Sequence, residues 1–164
     1  MDSQQVNNCQ IPEPYLNFLI NAQYLYCCTL DRHQYPHIVP ITYTFDIDKS
    51  QILCVTDCQS IKVRNMRQIP YVSFTTDKVH PKNPLLNTGI MIETFVELKE
   101  DGNQIADVLA KLQIKYSSLD ESSFLSTYEY GSEILIIAHP MKIVYWKGPF
   151  FRRFRCPTWR KRVT

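Results

Sequence analysis

The sequence predicts a mostly β fold of the α+β type, a small antiparallel barrel of about six strands with helices outside it. Three observations lead there. β-rich runs recur along the chain with short turns between them, helices are few, and strands do not alternate regularly with helices as a doubly wound sheet requires. The 164 residues, 45% hydrophobic and 21% charged, suit one soluble domain spanning 1–164 with its own core.

The elements follow in order. EPYLNFLIN, with Pro12 and Pro14 near its start, reads as an N-terminal helix within 10–22. YLYCCTL (24–30), HIVPITYTFD (37–46) and ILCVT (52–56) read as three strands of a meander. Pro40 cannot donate to a ladder, so it argues for an edge or a bulge in the second run. A short basic helix follows and ends near Ile69-Pro70; then come YVSFTT (71–76), a proline-containing loop and the long strand IMIETFVELKE (90–100). In 103–116, Ile105, Val108, Leu109, Leu112 and Tyr116 recur at helical spacing. SLDESSFLSTY reads as a further short helix, and EILIIAHPMKIVYW (133–146) as a strand pair or one strand bent at His139-Pro140.

Composition excludes several function classes. The four glycines form neither a dinucleotide-binding nor a Walker loop. No apolar run reaches about 18 residues, and MDSQQVNNCQ lacks the blocks of a signal peptide, so no membrane and a cytoplasmic location are expected. Six cysteines without a CxxC pair or zinc spacing read as reduced structural thiols, with Cys58 the candidate for reactivity. His33, His37 and His139 have no carboxylate at ligand spacing and read as surface or hydrogen-bonded groups; no metal is expected.

The net charge of +2 is unevenly spread. Seven basic and no acidic residues lie between Lys147 and Arg162, in a basic tail spanning 147–164. Subtracting those seven from the 18 Lys and Arg leaves 11 against 16 Asp and Glu elsewhere, a net of −5. Such a tail, with Phe150, Phe151, Phe154 and Trp159, fits a solvated end, an anionic ligand on a neighbouring subunit or a nucleic acid; nucleic acid is the less favoured partner.

TDCQSIKVRNMRQIPYVSF (56–74) poses a sharper question. Lys62, Arg64 and Arg67 sit at the amino end of the basic helix, where the dipole disfavours cations. An anion docked there would be held by the helix amides and cations together. Without one, the segment is a solvated basic face.

That segment resembles the pattern T…S-x-K-x-R-N-L of the pyridoxamine 5′-phosphate oxidase-like superfamily. YLYCCTLDRHQYPHIVPITYTFD is similar to the strand, turn and PHVVPV strand of that family, IMIETFVELKEDG to its VEGTAELVTD strand, and KIVYWKGPFFRR to a segment of the oxidases themselves. The likeness spans roughly 13–153. It implies a six-stranded antiparallel split β-barrel with flanking helices, a homodimer with FMN between the subunits, and an FMN-dependent oxidoreductase acting on a small molecule. Carried over by matching position, Ser60, Lys62 and Arg64 would hold the flavin phosphate. Val39, Pro40 and Thr42 would line the ring, and Thr56 and Asp57 the ribityl chain. Trp146 and Arg152 would come from the second subunit; Tyr43 and His80 are further candidates beside the substrate. The match stops at Arg153-Phe154-Arg155-Cys156, where the oxidases carry a leucine, a histidine, an aspartate and a second arginine. The groups that handle a pyridoxal phosphate substrate are therefore missing. Relatives on this scaffold bind haem or the deazaflavin F420, and these remain the alternatives, together with flavin or nucleic-acid binding without turnover.

Overall fold

The computed structural model describes residues 11–117 and 132–156. The helix expected in 118–128 and the end of the tail, 157–164, lie outside them.

Helix α1 (Glu13–Asn21) opens behind Pro12 and carries Pro14 in its first turn, where a missing N–H costs nothing. Strands β1 (Leu25–Leu30) and β2 (Pro36–Ile41) pair antiparallel across a turn organised by Asp31, whose Oδ1 accepts from the backbone N–H groups of His33 and Tyr35 at 2.8 and 2.9 Å. Strands β3 (Thr44–Asp46) and β4 (Gln51–Asp57) form a second hairpin. Helix α2 (Ile61–Gln68) leads to β5 (Tyr71–Lys78), β6 (Thr88–Lys99) and helix α3 (Gly102–Lys115). Asp101 caps α3: its carboxylate accepts from the backbone N–H groups of Asn103 and Gln104, and the Gln104 side chain returns to it at 2.9 Å. Strands β7 (Glu133–Lys147) and β8 (Phe150–Arg155) complete the described chain.

All pairings are antiparallel, in the order β2-β1-β5-β6-β7-β4-β3, with β8 also on β7. The two edges, β2 and β3, are joined by only Thr42 and Tyr43. A link that short spans about 10 Å, whereas seven strands laid flat would put the edges about 29 Å apart. The sheet must therefore curl until its edges approach, giving the barrel form. β7 serves two neighbours along one side: Glu133–Ala138 pairs with β4, and Lys142–Lys147 with β8. Between them Met141 is the extra residue of a bulge, since Glu93 pairs with Lys142 and Thr94 with Pro140.

The main core fills the barrel with Leu19, Leu25, Cys27, Tyr43, Phe74, Ile90, Ile92 and Ile136. A second cluster lies under α3, from Ile105, Val108 and Leu112 against Leu53, Val55 and Leu135.

Three expectations need correction. Eight strands are described rather than six, because the run 37–46 breaks at Thr42–Tyr43 to serve both edges, and because Phe150–Arg155 pairs with β7. The 147–164 segment is thus not wholly a tail: backbone pairing orders it as far as Arg155. Cys156 is held in a disulfide and is buried in the main core, while Cys27, Cys28, Cys54 and Cys58 are free thiols. Pro40 does lie on an edge strand, and β7 is one bent strand. Among the described residues no helix is long and apolar enough to cross a membrane.

Candidate functional site

The candidate site is built at the amino end of α2. β4 ends at Thr56 and Asp57, and a tight turn leads into the helix. Asp57 Oδ1 accepts from the Gln59 N–H at 2.8 Å, and the Asp57 carbonyl from the Ser60 N–H at 3.2 Å. The carboxylate that would repel an anion is thereby engaged in shaping the turn. Ser60 takes the N-cap position with extended backbone, yet its hydroxyl makes no capping bond. Its Oγ is buried and has no hydrogen-bond partner among the described residues. A buried hydroxyl left unpaired costs about 1–3 kcal/mol, so this atom is suited to a group the chain itself does not supply.

The other face of α2 explains its position. Val63 and Met66 are buried, and Asn65 Nδ2 donates to Thr29 Oγ1 on β1 at 3.0 Å. Pro70 ends the helix by forcing Ile69 into an extended conformation.

The three cations of α2 separate in role. Arg67 turns back, donating to the Cys58 carbonyl at 3.4 Å and pairing with Glu100 at 3.6 Å. Arg64 lies on the exposed face. Lys62 is half-buried, and among the described residues it forms no ion pair. Burial lowers its proton affinity, while the nearby Cys27, Cys54 and Asp57 favour the charged form. A partly desolvated cation that forms no ion pair of its own marks a place where an anion would be stabilised.

Val39 lies cross-strand from Cys27, which places the β2 edge beside Lys62. Val39 packs on the core, Pro40 faces outward and Thr42 sits in the crossing to β3. His37 is expected at the surface or hydrogen-bonded, but its Nδ1 is buried without a partner among the described residues, on the strand position facing Thr29. Register alone reveals this, since 37 and 29 are unrelated in linear spacing.

Thr56, Asp57, Ser60, Lys62 and Arg64 thus gather at one end, with Val39 and Pro40 on the adjoining edge. Trp146 and Arg152 do not join them. Asp57 pairs with Glu133 at the start of β7, whereas Trp146 lies 13 residues further along, about 40 Å of strand away. There its indole lies across Gly89 of β6, and Arg152 is exposed on β8 opposite Tyr145.

No protein-family model and no curated protein matches the sequence. Solved structures do. One is a putative pyridoxamine 5′-phosphate oxidase from Listeria innocua, with a TM-score of 0.61 and 16% identity over 82% of this chain and 97% of that one. An F420 reductase aligns with a TM-score of 0.63 and 19% identity over 81% and 98%. The haem storage protein HutZ from Vibrio cholerae aligns with a TM-score of 0.63 and 12% identity over 80% and 91%. The chain has the pyridoxamine 5′-phosphate oxidase-like split-barrel fold.

Two further candidates hold structural posts in this split barrel. Tyr43 is wholly buried, its hydroxyl donating to the Leu19 carbonyl and its backbone N–H to Tyr116 Oη, so it cannot face a substrate. His80 organises the 80–87 loop, with Nδ1 accepting from the Asn83 N–H at 3.1 Å. A network that linear spacing hides joins three strands. His139 Nε2 lies 3.0 Å from Glu97 Oε1, and His139 Nδ1 lies 3.2 Å from Gln51 Nε2.

Proposed function

We propose that this split barrel is a homodimeric, FMN-dependent oxidoreductase acting on a small molecule. One observation carries the reading: the amino end of α2 holds both a buried Ser60 hydroxyl and a half-buried Lys62 ammonium, neither with a hydrogen-bond or ion-pair partner among the described residues. Donor, cation and helix dipole together suit a phosphate dianion. Arg64 reaches the same end from the exposed face, and the 38–42 edge of β2 and its crossing would offer backbone N–H and C=O groups to a flavin's pyrimidine ring.

A bound flavin would supply the hydride chemistry. The chain's part is to fix the phosphate through Ser60, Lys62 and Arg64, to seat the ring along Val39, Pro40 and Thr42, and to flank the ribityl chain with Thr56 and Asp57. Trp146 and Arg152 lie towards the other end of β7, and the proposal brings them from the second copy. The solved relatives include an F420 reductase and a haem storage protein, which name the alternatives. A deazaflavin would use the same phosphate anchor. Haem offers carboxylates instead and asks for an axial ligand.

The absorption spectrum of the purified protein, before and after adding FMN, tests the reading. Paired flavin bands are expected; a Soret band would replace the proposal with haem binding. The double variant Ser60→Ala, Lys62→Ala should lose at least about 10-fold in FMN affinity, since each charge-assisted hydrogen bond contributes about 1.5–3 kcal/mol. Undiminished FMN retention in that variant would overturn the phosphate assignment.

A further inference from the structure

A cavity of about 290 Å³ opens between the end of α1, β3 and the end of α3. Ile20 at the end of α1, Phe45 of β3, Ile47 and Ile114 of α3 form its apolar wall, and Thr44, Lys111 and Lys115 complete it. The two lysines differ. Lys111 pairs with Asp107 at 2.8 Å, so its charge is balanced. Lys115 Nζ is buried and has no hydrogen-bond partner among the described residues. It rests 3.6 Å from the centre of the Tyr43 ring.

The geometry points to a second binding site, for a small organic acid with an apolar body, in which the wall holds the body and Lys115 is the counter-ion of the carboxylate. The ring contact offsets about 0.5–2 kcal/mol, less than a desolvated ammonium without an acceptor costs. Burial lowers the Lys115 proton affinity to about 8, which still leaves the side chain mostly charged near neutral pH. Lys115 itself lines the cavity, so its ammonium is within side-chain reach of a guest there. The volume lies near the lower end of ordinary ligand pockets, which fits a chain of a few carbons and excludes a flavin-sized molecule. A single ammonium suits a monoanion. The rival account is that Lys115 only covers the Tyr43 ring with its stem; then its charge selects nothing.

Titration calorimetry with octanoate, octanol and octylamine separates the two. Octanoate should bind saturably and at least about 10-fold more tightly than octanol, with octylamine weaker still; 10-fold corresponds to about 1.4 kcal/mol. Lys115→Met should bring octanoate and octanol to equal affinity, and Lys115→Arg should keep the preference. Ile114, 76% exposed on the wall, allows a control that leaves the core alone. Ile114→Trp should weaken octanoate, because it fills the cavity. Equal binding of octanoate and octanol by the native chain, no saturable binding at millimolar octanoate, or full binding by Ile114→Trp would each overturn the site. The result is independent of FMN, since neither the cavity wall nor Lys115 includes a residue of the α2 site.

Discussion

At the scale of single residues, the two half-buried lysines have different consequences. Lys62 lies at the proposed phosphate anchor; Lys115 rests on the face of Tyr43, with the Tyr116 ring 5.6 Å away. The ordinary lysine value is near 10.5, and burial lowers that of Lys115 to about 8. Between those values the unfolded chain binds the proton and the folded chain releases it. Stability attributable to this side chain therefore rises with pH across the window from about 8 to 10.5, and below it the buried charge is a full liability. The comparison with Lys115→Met isolates the effect from other titrating groups. Near pH 7 the variant should be the more stable by urea denaturation, and the gap should close as the pH approaches 10. A gap that stays constant with pH would show that the ammonium is not desolvated. The sequence could name Lys62, because helix position and charge are local, but not Lys115. Its neighbour Tyr43 comes from the β2–β3 crossing, and nothing in linear spacing brings the two together.

At the scale of elements, most boundaries were legible and the partnerships were not. The proline before β5 and the apolar spacing of α3 announce their elements within a few residues. The run 37–46 looked continuous because both halves are β-prone; only closure of the barrel splits it at Thr42–Tyr43. Likewise Phe150–Arg155 reads as a basic tail because FFRRFR lacks the strict alternation of a half-buried strand, and its pairing with β7 supplies the order. The β6–β7 ladder also makes a testable claim about Trp146. A Cβ built on Gly89 would lie 2.1 Å from the Trp146 ring, so only glycine lets the indole lie flat on β6. Gly89→Ala should push the ring off the sheet and cost about 1–3 kcal/mol. In a Trp159→Phe background, which leaves Trp146 as the sole indole of the two, emission should shift to the red. Unchanged emission would show that the ring does not occupy this position.

At the scale of the whole molecule, the decisive fact is that one protomer holds the candidate residues at two ends of β7. Ser60 and Lys62 stand where β4 leaves the sheet; Trp146 and Arg152 stand where β8 joins it. Two-fold symmetry offers a way to unite them, since each copy then gives its α2 end to one site and its β7–β8 end to the other. That arrangement predicts complementation. The variants Lys62→Ala and Trp146→Ala/Arg152→Ala should each bind or turn over poorly as homodimers. Unfolding and refolding them together in equal amounts makes about half of the dimers mixed. In a mixed dimer one site collects every defect and the other is intact, so about a quarter of native FMN sites should return by fluorescence titration. If each protomer built its site alone, every site would keep one defect and nothing would return, even with mixed dimers verified by differential tagging. Recovery near a quarter thus requires that a single site draw Lys62 from one chain and Trp146 with Arg152 from the other.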